Sequence, residues 1–118
     1  MSEQEPVNSS LRDKMLQFID ENSNKDISLL DLADYLNLSR NYVSTLFKDA
    51  TGRNFKDFLN KHRFEMACGI IDENPMKKLK DVAAQVGCST DVFIRIFMRY
   101  GGMRPHEYQT QAMNRAKS

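Results

Sequence analysis

The sequence contains an internal repeat with a period of 50 residues, and this repeat restricts the possible folds more than any other feature. The segment DLADYLNLSRNYVSTLFKDATGRNF, residues 31–55, is followed by a related segment that starts at residue 81. Five identical pairs align without a gap: Asp31 and Asp81, Ala33 and Ala83, Ser39 and Ser89, Phe47 and Phe97, Gly52 and Gly102. Apolar character also persists, at Leu32/Val82, Leu36/Val86, Val43/Phe93 and Leu46/Ile96. The repeat predicts a duplicated supersecondary unit.

Each copy has the pattern of two short helices joined by a tight turn. In the first copy, Ser28 and Asp31 have the spacing of a capping box, and leucines form the apolar stripe of one helix. Ala33 is small enough to lie where two helices cross closely. Ser39 then caps a second helix of about eleven residues, and Gly52 supplies its left-handed stop. The side chains predicted to face inward are Tyr42, Val43, Leu46 and Phe47. This pattern predicts a helix-turn-helix, present twice.

Further helices are predicted around the two copies. An apolar face at Leu11, Met15, Phe18 and Ile19 predicts a preceding helix. An apolar face from Phe55 to Glu73 predicts one long helix between the copies, and Pro105 opens a short last helix that runs to about Met113. The predicted fold is therefore all-α, with two helix-turn-helix subdomains joined by a long central helix and about seven helices.

These elements also predict the boundaries along the chain. They are a disordered lead-in or linker at 1–10, a first subdomain at 11–53, a linking helix at 54–74, a second subdomain at 75–113 and a frayed tail at 114–118. The lead-in has the composition of a linker and favours a fragment of a longer protein over a complete small one. The linking helix spans roughly 28 Å, close to the roughly 34 Å of one DNA turn, which makes it a candidate strut between two reading helices.

Charge is distributed unevenly along the 118 residues. Residues 1–37 carry 3 Lys or Arg and 8 Asp or Glu, a net charge of −5, whereas residues 38–118 carry 14 and 8, a net charge of +6. The total of +1 is weak support for a nucleic-acid partner, but the polarity predicts one basic face and one acidic region.

Other residue patterns argue against several classes of protein. Cys68 and Cys88 lack a CxxC spacing and are predicted to be reduced core thiols. His62 and His106 are isolated, so no metal or other cofactor is expected. The sequence offers no nucleophile with a general base beside it, no glycine-rich phosphate loop and no paired carboxylates. An enzyme is therefore the poorest interpretation. No apolar run reaches the roughly 20 residues that span a bilayer, and no signal segment opens the chain, which predicts a cytoplasmic protein.

The two copies and the helix between them resemble the AraC/XylS family of bacterial transcription regulators. The resemblance covers about residues 11–112 and depends on LADYLNLSRNYVSTLFKDATGRNFKDFL, on the region of Arg63 and Ala67, and on DVAAQVGCSTDVFIRIFMRYGGMRPHEY. Within the family the chain is similar to the output domain of YesN-type response regulators. The resemblance implies binding to double-stranded DNA, with two recognition helices in successive major grooves.

The resemblance and the helical facing together indicate the DNA-contacting residues. In the first copy Asn41, Ser44 and Thr45 are expected to meet base edges, with Arg40 and Lys48 near phosphates. In the second copy the candidates are Thr90, Asp91, Ile94, Arg95 and Arg99. Arg95 suits guanine, whereas the carboxylate of Asp91 repels phosphate, so the second helix is expected to bind more weakly. Further candidates for backbone contacts are Lys56, Lys61, Arg63, Lys77, Lys78 and Lys80.

A helical protein-interaction module is the alternative to a DNA reader. Its acidic residues 1–37 would dock a receiver domain or RNA polymerase, and the helices would then act as a scaffold. RNA polymerase and an N-terminal sensor or receiver domain are also expected partners under the DNA-binding interpretation. Salt-dependent binding to duplex DNA distinguishes the two interpretations.

Overall fold

The computed structural model describes residues 4–117, which form seven helices and no strand. They are α1 (Gln4–Asn22), α2 (Leu29–Leu36), α3 (Arg40–Thr51), α4 (Phe55–Glu73), α5 (Leu79–Gln85), α6 (Thr90–Ile96) and α7 (Pro105–Lys117). A π-helical turn of five residues, Phe97–Gly101, continues directly from α6. The all-α prediction is confirmed. Over residues 4–117, no helix is both long enough and apolar enough to cross a membrane.

The chain divides into two compact units, and the division falls inside α4. The first unit is Met1–Leu59 and the second is Asn60–Ser118. Each unit has its own core, as a duplicated helix-turn-helix requires. The first core contains Met15, Ile19, Leu32, Ala33, Val43, Phe47, Phe55 and Leu59. The second contains Ala67, Ile71, Val82, Ala83, Val86, Cys88, Phe93, Ile96, Phe97 and Ala112.

The helix ends of the first unit are fixed by the predicted caps. The backbone N–H of Ser28 donates to Asp31 Oδ2 at 2.8 Å, and the N–H of Asp31 donates to Ser28 Oγ at 3.3 Å, which completes the capping box of α2. Ser39 Oγ accepts from the N–H of Tyr42 at 3.2 Å and starts α3. Gly52 has φ 78° and ends the same helix in the left-handed region, where glycine carries no steric penalty.

The second unit repeats these devices with one omission. Ser89 Oγ accepts from the N–H of Val92 at 3.3 Å, and Gly102 has φ 68°. Lys78, at the start of α5, makes no side-chain cap bond where Ser28 caps α2. This weaker start is what the sequence predicts, because lysine has no acceptor to offer the first-turn amides.

The turn inside each helix-turn-helix has a left-handed residue at the same position of the repeat. It is Asn37 with φ 58° directly after α2 in one copy, and Gly87 with φ 83° after Val86, the C-cap of α5, in the other. The next amide then donates to the alanine at the helix crossing, Leu38 to Ala33 at 3.1 Å and Cys88 to Ala83 at 2.8 Å. Asparagine tolerates this conformation better than most residues with a side chain, so Asn37 can replace the glycine of the second copy.

Both ends of the chain differ from the predicted boundaries. Residues 4–10, predicted as a disordered lead-in, belong to α1, and residues 1–3 lie outside the described part. Pro6 falls in the first turn of α1, where its missing N–H is not needed. At the other end, α7 continues past Met113 to Lys117, so the predicted frayed tail is helical, with Ser118 outside the described part. Arg115 and Lys117 favour this extension because cations stabilise a helix C-terminus.

Two predictions inside the helix-turn-helix units are also wrong. The repeat predicts one α-helix from Thr90 to Tyr100 as the second helix of the second copy, but the π-helical turn interrupts it after Ile96. Tyr42, predicted to face inward, is 52% exposed. Successive residues of a helix are rotated by about 100° about its axis. Val43 and Phe47 face the core, so Tyr42 lies to the side of the buried face. Leu46, on the same side, is half-buried.

Candidate nucleic-acid interface

The outward face of α3 carries all five residues predicted for the first copy. Val43 and Phe47 are fully buried and fix the rotation of the helix about its axis. The residues that consequently lie on the solvent side are Arg40, Asn41, Ser44, Thr45 and Lys48, and all of them are exposed. Within the described residues, none of these five side chains has a hydrogen-bond or ion-pair partner. Their donors and acceptors are therefore available to a ligand.

Sequence reasoning missed a tyrosine on the rim of this face. Tyr42 is 52% exposed and lies beside Thr45 in the helical projection. The exposed carboxylate of Asp49 follows one turn after Thr45. A strict helical projection would have found Tyr42, because its position is about 100° from Val43 and nearly 140° from Phe47.

The corresponding face in the second copy is formed by α6 and the π-helical turn. Phe93, Ile96 and Phe97 are buried and play the part of the core residues in α3. Four of the five predicted residues are exposed, Thr90, Asp91, Arg95 and Arg99. The guanidinium of Arg99 lies 5.5 Å from the ring centroid of Tyr100, in cation–π contact.

Two apolar residues change the character of this second face. Ile94 was expected on the exposed face, but it is half-buried. It lines a cleft of about 180 Å³ together with Phe93 and Pro105. Met98 is 48% exposed at the position that Lys48 occupies in the first copy, and it was not predicted. The second face therefore has fewer polar groups in reach of a ligand than the first.

A cleft borders each recognition helix at equivalent positions of the repeat. In the first unit it measures about 400 Å³ and is bordered by Leu29, Ser44, Asn54 and Lys56. In the second unit the residues 50 positions later, Leu79, Ile94, Arg104 and His106, line the cleft of about 180 Å³. Both clefts lie between the start of the first motif helix, the recognition helix and the start of the following helix. The surroundings of α3 and α6 are therefore similar in the two copies.

The basic residues predicted to contact the DNA backbone differ in their surroundings. Lys56, Lys78 and Lys80 are exposed. Lys61 is paired with Glu65 at 2.9 Å, and the ammonium of Lys77 donates to the side-chain carbonyl of Gln85. Arg63 is the exception, because it is only 8% exposed and is therefore unsuited to a phosphate contact. Burial raises the pKa of the Cys88 thiol in the second core, and the nearby positive charge of Arg63 partly opposes this shift.

A polar network holds α7 against the C-terminal half of α4. Tyr108 Oη donates to Asp72 at 2.9 Å, and Arg115 pairs with the same carboxylate at 2.9 Å. Burial, followed by the hydrogen bond to Asp72, raises the pKa of Tyr108 well above its usual range. Burial also raises the pKa of the Cys68 thiol, although a hydrogen bond with Tyr108 opposes this shift. The network positions the second unit's last helix rather than a reactive group.

Comparison with known proteins decides the family. The family model of a helix-turn-helix domain matches residues 32–111, a range that contains most of α2 and all of α3, α4, α5 and α6. The chain belongs to the AraC-type helix-turn-helix family. It is a DNA-binding domain of the kind found in transcriptional regulators, as the sequence resemblance implies.

The chain is similar to several proteins that are named as transcriptional or response regulators. The chain is 32% identical over 95 residues to the raffinose operon transcriptional regulatory protein RafR of Pediococcus pentosaceus, covering 80% of the chain. Among solved structures it resembles the C-terminal domain of the two-component response regulator yesN from Fusobacterium nucleatum, with 30% identity and a TM-score of 0.73. That alignment covers 80% of this chain and 93% of the other. The C-terminal domain of AraT, a response regulator from Geobacillus stearothermophilus, aligns with 26% identity and a TM-score of 0.78, covering 90% and 85%.

The chain corresponds to one part of its longer AraC-type relatives. It spans 34% of the length of RafR and 39% of the length of a response regulatory protein from Staphylococcus epidermidis.

Between residues 4 and 117, no group of three or more His, Cys, Asp or Glu side chains is placed to hold a metal ion. Cys68 and Cys88 are free cysteines, and Cys88 is buried in the second core, as predicted.

Proposed function

We propose that the chain binds double-stranded DNA in a sequence-specific manner, as the reading domain of a bacterial transcription regulator. One observation carries this proposal. Two helices with the same serine N-caps and the same core-facing side present exposed polar side chains on their outward faces, at positions related by the 50-residue repeat. A helix of this kind fits the major groove, where base edges differ in their donors and acceptors.

The roles on α3 follow from side-chain chemistry. Asn41 can bind adenine in a bidentate manner, and Thr45 can place its methyl group against thymine. Ser44 lies beside them on the same exposed face and can bond either base edge. Arg40 and Lys48 supply positive charge for phosphates, which fixes orientation rather than sequence.

The second helix is proposed to enter the next major groove. Helix α4 is continuous over 19 residues, from Phe55 to Glu73, and connects the two units along the chain. At roughly 1.5 Å per residue it spans roughly 28 Å, which is close to the roughly 34 Å of one DNA turn. On α6 and the following turn, Thr90, Arg95 and Arg99 are the polar contacts, with Asp91 and Ile94 beside them. A single copy of the chain would then occupy a whole site.

We extend the proposal to partners of the intact regulator. The structural relatives include C-terminal domains of response regulators, which supports a receiver or other sensor domain preceding this one. RNA polymerase is the partner through which such a regulator would act on transcription. A protein with these partners works in the cytoplasm.

The acidic first part of the chain supports a second role as a docking surface. The outward face of α2 exposes Leu30 and Tyr35, at 53% and 51%, beside Asp31 and Asp34. Carboxylates repel the DNA backbone, so this face is suited to a protein rather than to nucleic acid. A scaffold that uses only this face would have no use for the exposed groups of α3.

Titration of a fluorescent duplex at several salt concentrations tests the proposal. Phosphate contacts release counterions, so the affinity should fall steeply between about 50 and 200 mM salt. Lys48→Ala should reduce the slope of log affinity against log salt by about one, because one phosphate contact is lost. Lys14→Ala removes an equally exposed lysine from α1 and should leave the slope unchanged. Affinity that does not depend on salt would favour the docking role.

A further inference from the structure

We infer that the second recognition helix reads a guanine and a cytosine within about two base-pair steps, with Arg95 donating to the guanine and Asp91 accepting from the cytosine. This inference rests on the proposed function and deepens it. It gives Asp91, which would otherwise only repel DNA, a defined role in selecting sequence.

The two outward faces share one backbone frame but differ in their chemistry. The serine caps and the left-handed glycines occupy equivalent positions, so residues 50 apart have equivalent places on the two helices up to Ile96, after which the π-helical turn begins. The replacements from the first face to the second are Arg40 by Thr90, Asn41 by Asp91, Ser44 by Ile94, Thr45 by Arg95, Lys48 by Met98 and Asp49 by Arg99. The polar centre of the face, Asn41 and Thr45 on α3, thus becomes a carboxylate and a guanidinium on α6.

Asp91 and Arg95 are both exposed and have no partner within the described residues. They are four residues apart, with the acid first, which is the favourable order for an ion pair on a helix surface. The pair is nevertheless not formed in the structure, whereas the i, i+4 pairs Arg53–Asp57 and Lys61–Glu65 are formed. Both charged groups of α6 therefore point outward without satisfying each other.

Base-edge chemistry assigns each group to one base. A guanidinium donates two parallel hydrogen bonds to O6 and N7 of guanine. In the major groove the amino donors are N4 of cytosine and N6 of adenine. The adenine amino group lies beside the N7 acceptor, which repels a carboxylate, so cytosine is the base that suits Asp91. A carboxylate placed against phosphate or against an acceptor edge is repelled, so Asp91 can be accommodated without cost only where an amino group faces it.

The spacing of the two residues limits how far apart the two bases lie. Four residues along a helix correspond to a rise of roughly 6 Å, and base pairs along one strand are about 3.4 Å apart. Asp91 and Arg95 would therefore read the same base pair or pairs within two steps. The neighbours Ile94 and Met98 add apolar surface but no polar reader, so these two charged residues determine most of what α6 can select.

A purely structural role for Asp91 makes a different prediction. Asp91 lies in the first turn of α6, where an acidic residue stabilises the helix through the dipole. If that were its whole role, Asp91→Asn would lower thermal stability and leave base preference unchanged. If Asp91 reads cytosine, the same variant loses preference at one base pair and binds other sequences at least as well.

Selection of bound sequences from a randomised duplex library separates these cases. The probes are random double-stranded DNA and the chain itself, with the variants Asp91→Asn, Arg95→Ala and Glu73→Gln. Glu73 is an exposed acid at the end of α4, outside both recognition helices, so Glu73→Gln controls for the loss of one negative charge. Thermal melting of each variant shows that the fold is retained.

The expected result is a motif with one part dominated by guanine and cytosine. Asp91→Asn should relax selection at a cytosine by about tenfold, and Arg95→Ala should relax selection at a guanine no more than two steps away. Glu73→Gln should select the same motif as the parent chain. A motif that Asp91→Asn leaves unchanged overturns the inference while DNA reading stands. Failure of the parent chain to enrich any sequence overturns both.

Discussion

The ring of Phe64 occupies the space into which a side chain at residue 101 would extend. A β-carbon added to Gly101 would lie 2.9 Å from Cε1 and 3.0 Å from Cζ of Phe64. The same ring packs edge-on against Phe97, with centroids 4.9 Å apart, and lies 6.1 Å from Tyr100. The π-helical turn therefore closes tightly over a half-buried ring that has packed neighbours and little room to move.

Gly101→Ala should consequently destabilise the second unit. The methyl group forces Phe64 off its position against Phe97, and overpacking of this kind costs about 1–3 kcal/mol. Urea unfolding followed by circular dichroism measures the change. The result would be contradicted if the variant were as stable as the parent chain.

Gly69→Ala is the matched control for this prediction. Gly69 lies inside α4, and nothing lies within 4 Å of a β-carbon added there. Alanine has a higher helix propensity than glycine by up to about 1 kcal/mol, so this variant should be more stable than the parent chain. The same substitution is thus expected to have opposite signs at two helical glycines.

Lys78→Ser should stabilise α5 by completing the repeat. Ser28 and Asp31 form a capping box at the start of α2, and Asp81 is already present at the equivalent place in α5. A serine at residue 78 can accept from the Asp81 amide, which is worth about 0.5–1 kcal/mol. Lys80→Ser, inside the helix, removes the same charge without adding a cap and should not stabilise. Equal unfolding free energies for the two variants would refute the capping argument.

The stability of the second unit should fall at alkaline pH. Burial raises the pKa values of Tyr108, Cys68 and Cys88, so the folded state favours their neutral forms. A group whose pKa is raised by folding contributes its full stabilisation below its unfolded pKa and loses it as the pH rises. The unfolded values are about 8.5 for the thiols and about 10 for the phenol, so the decline should begin near pH 8.5 and steepen near 10.

Tyr108→Phe tests the phenol separately. The variant loses the hydrogen bond to the exposed carboxylate of Asp72, at a cost of about 1 kcal/mol or less at neutral pH. Its unfolding free energy should then decline less steeply above pH 10, since one ionising group has been removed. Denaturant titrations at pH 7, 9 and 10.5 measure both effects. Parallel pH profiles for the variant and the parent would show that Tyr108 does not contribute to the decline.

The repeat made much of the fold predictable, because each cap depends on a local pattern. Ser39, Ser89 and Gly52 act through bonds that span four residues or fewer, and Gly102 acts through its own left-handed backbone, so these features can be deduced from spacing. The equivalence of Asn37 and Gly87 was not deduced, because two different residues satisfy the same left-handed conformation.

Features that depend on packing between distant residues could not be deduced from local spacing. The π-helical turn lies against Phe64, which is 33 residues earlier in the chain than Phe97. Arginine is usually a surface residue. Arg63 is buried because of its position next to the second core, which the sequence alone does not show. Ile94 likewise lines a cleft together with Pro105, a neighbour that the spacing within α6 does not reveal. The exposure of the outward face of α3 was predictable because helical facing is set by the nearest buried residues, Val43 and Phe47.

Ala substitutions should show that α3 contributes more specific affinity than α6. The first face has five exposed polar or basic residues, whereas the second exposes Met98 and a carboxylate in place of Lys48 and Asn41. Asn41→Ala and Thr45→Ala should each weaken binding to a selected duplex by about tenfold, corresponding to loss of one base contact. Fluorescence titration measures these affinities. If both variants retained parental affinity while Arg95→Ala abolished it, the order of the two helices would be reversed.

Footprinting on duplexes with altered spacing tests the central claim most directly, namely that one chain reads two successive major grooves. A selected site is compared with versions in which five base pairs are inserted or deleted between its two halves, which rotates one half to the opposite side of the duplex. The account predicts that protection of one half is lost and that insertion of a full turn of about 10 base pairs is similarly unfavourable, because α4 has a fixed length. Unchanged protection of both halves after a five-base-pair insertion would contradict it.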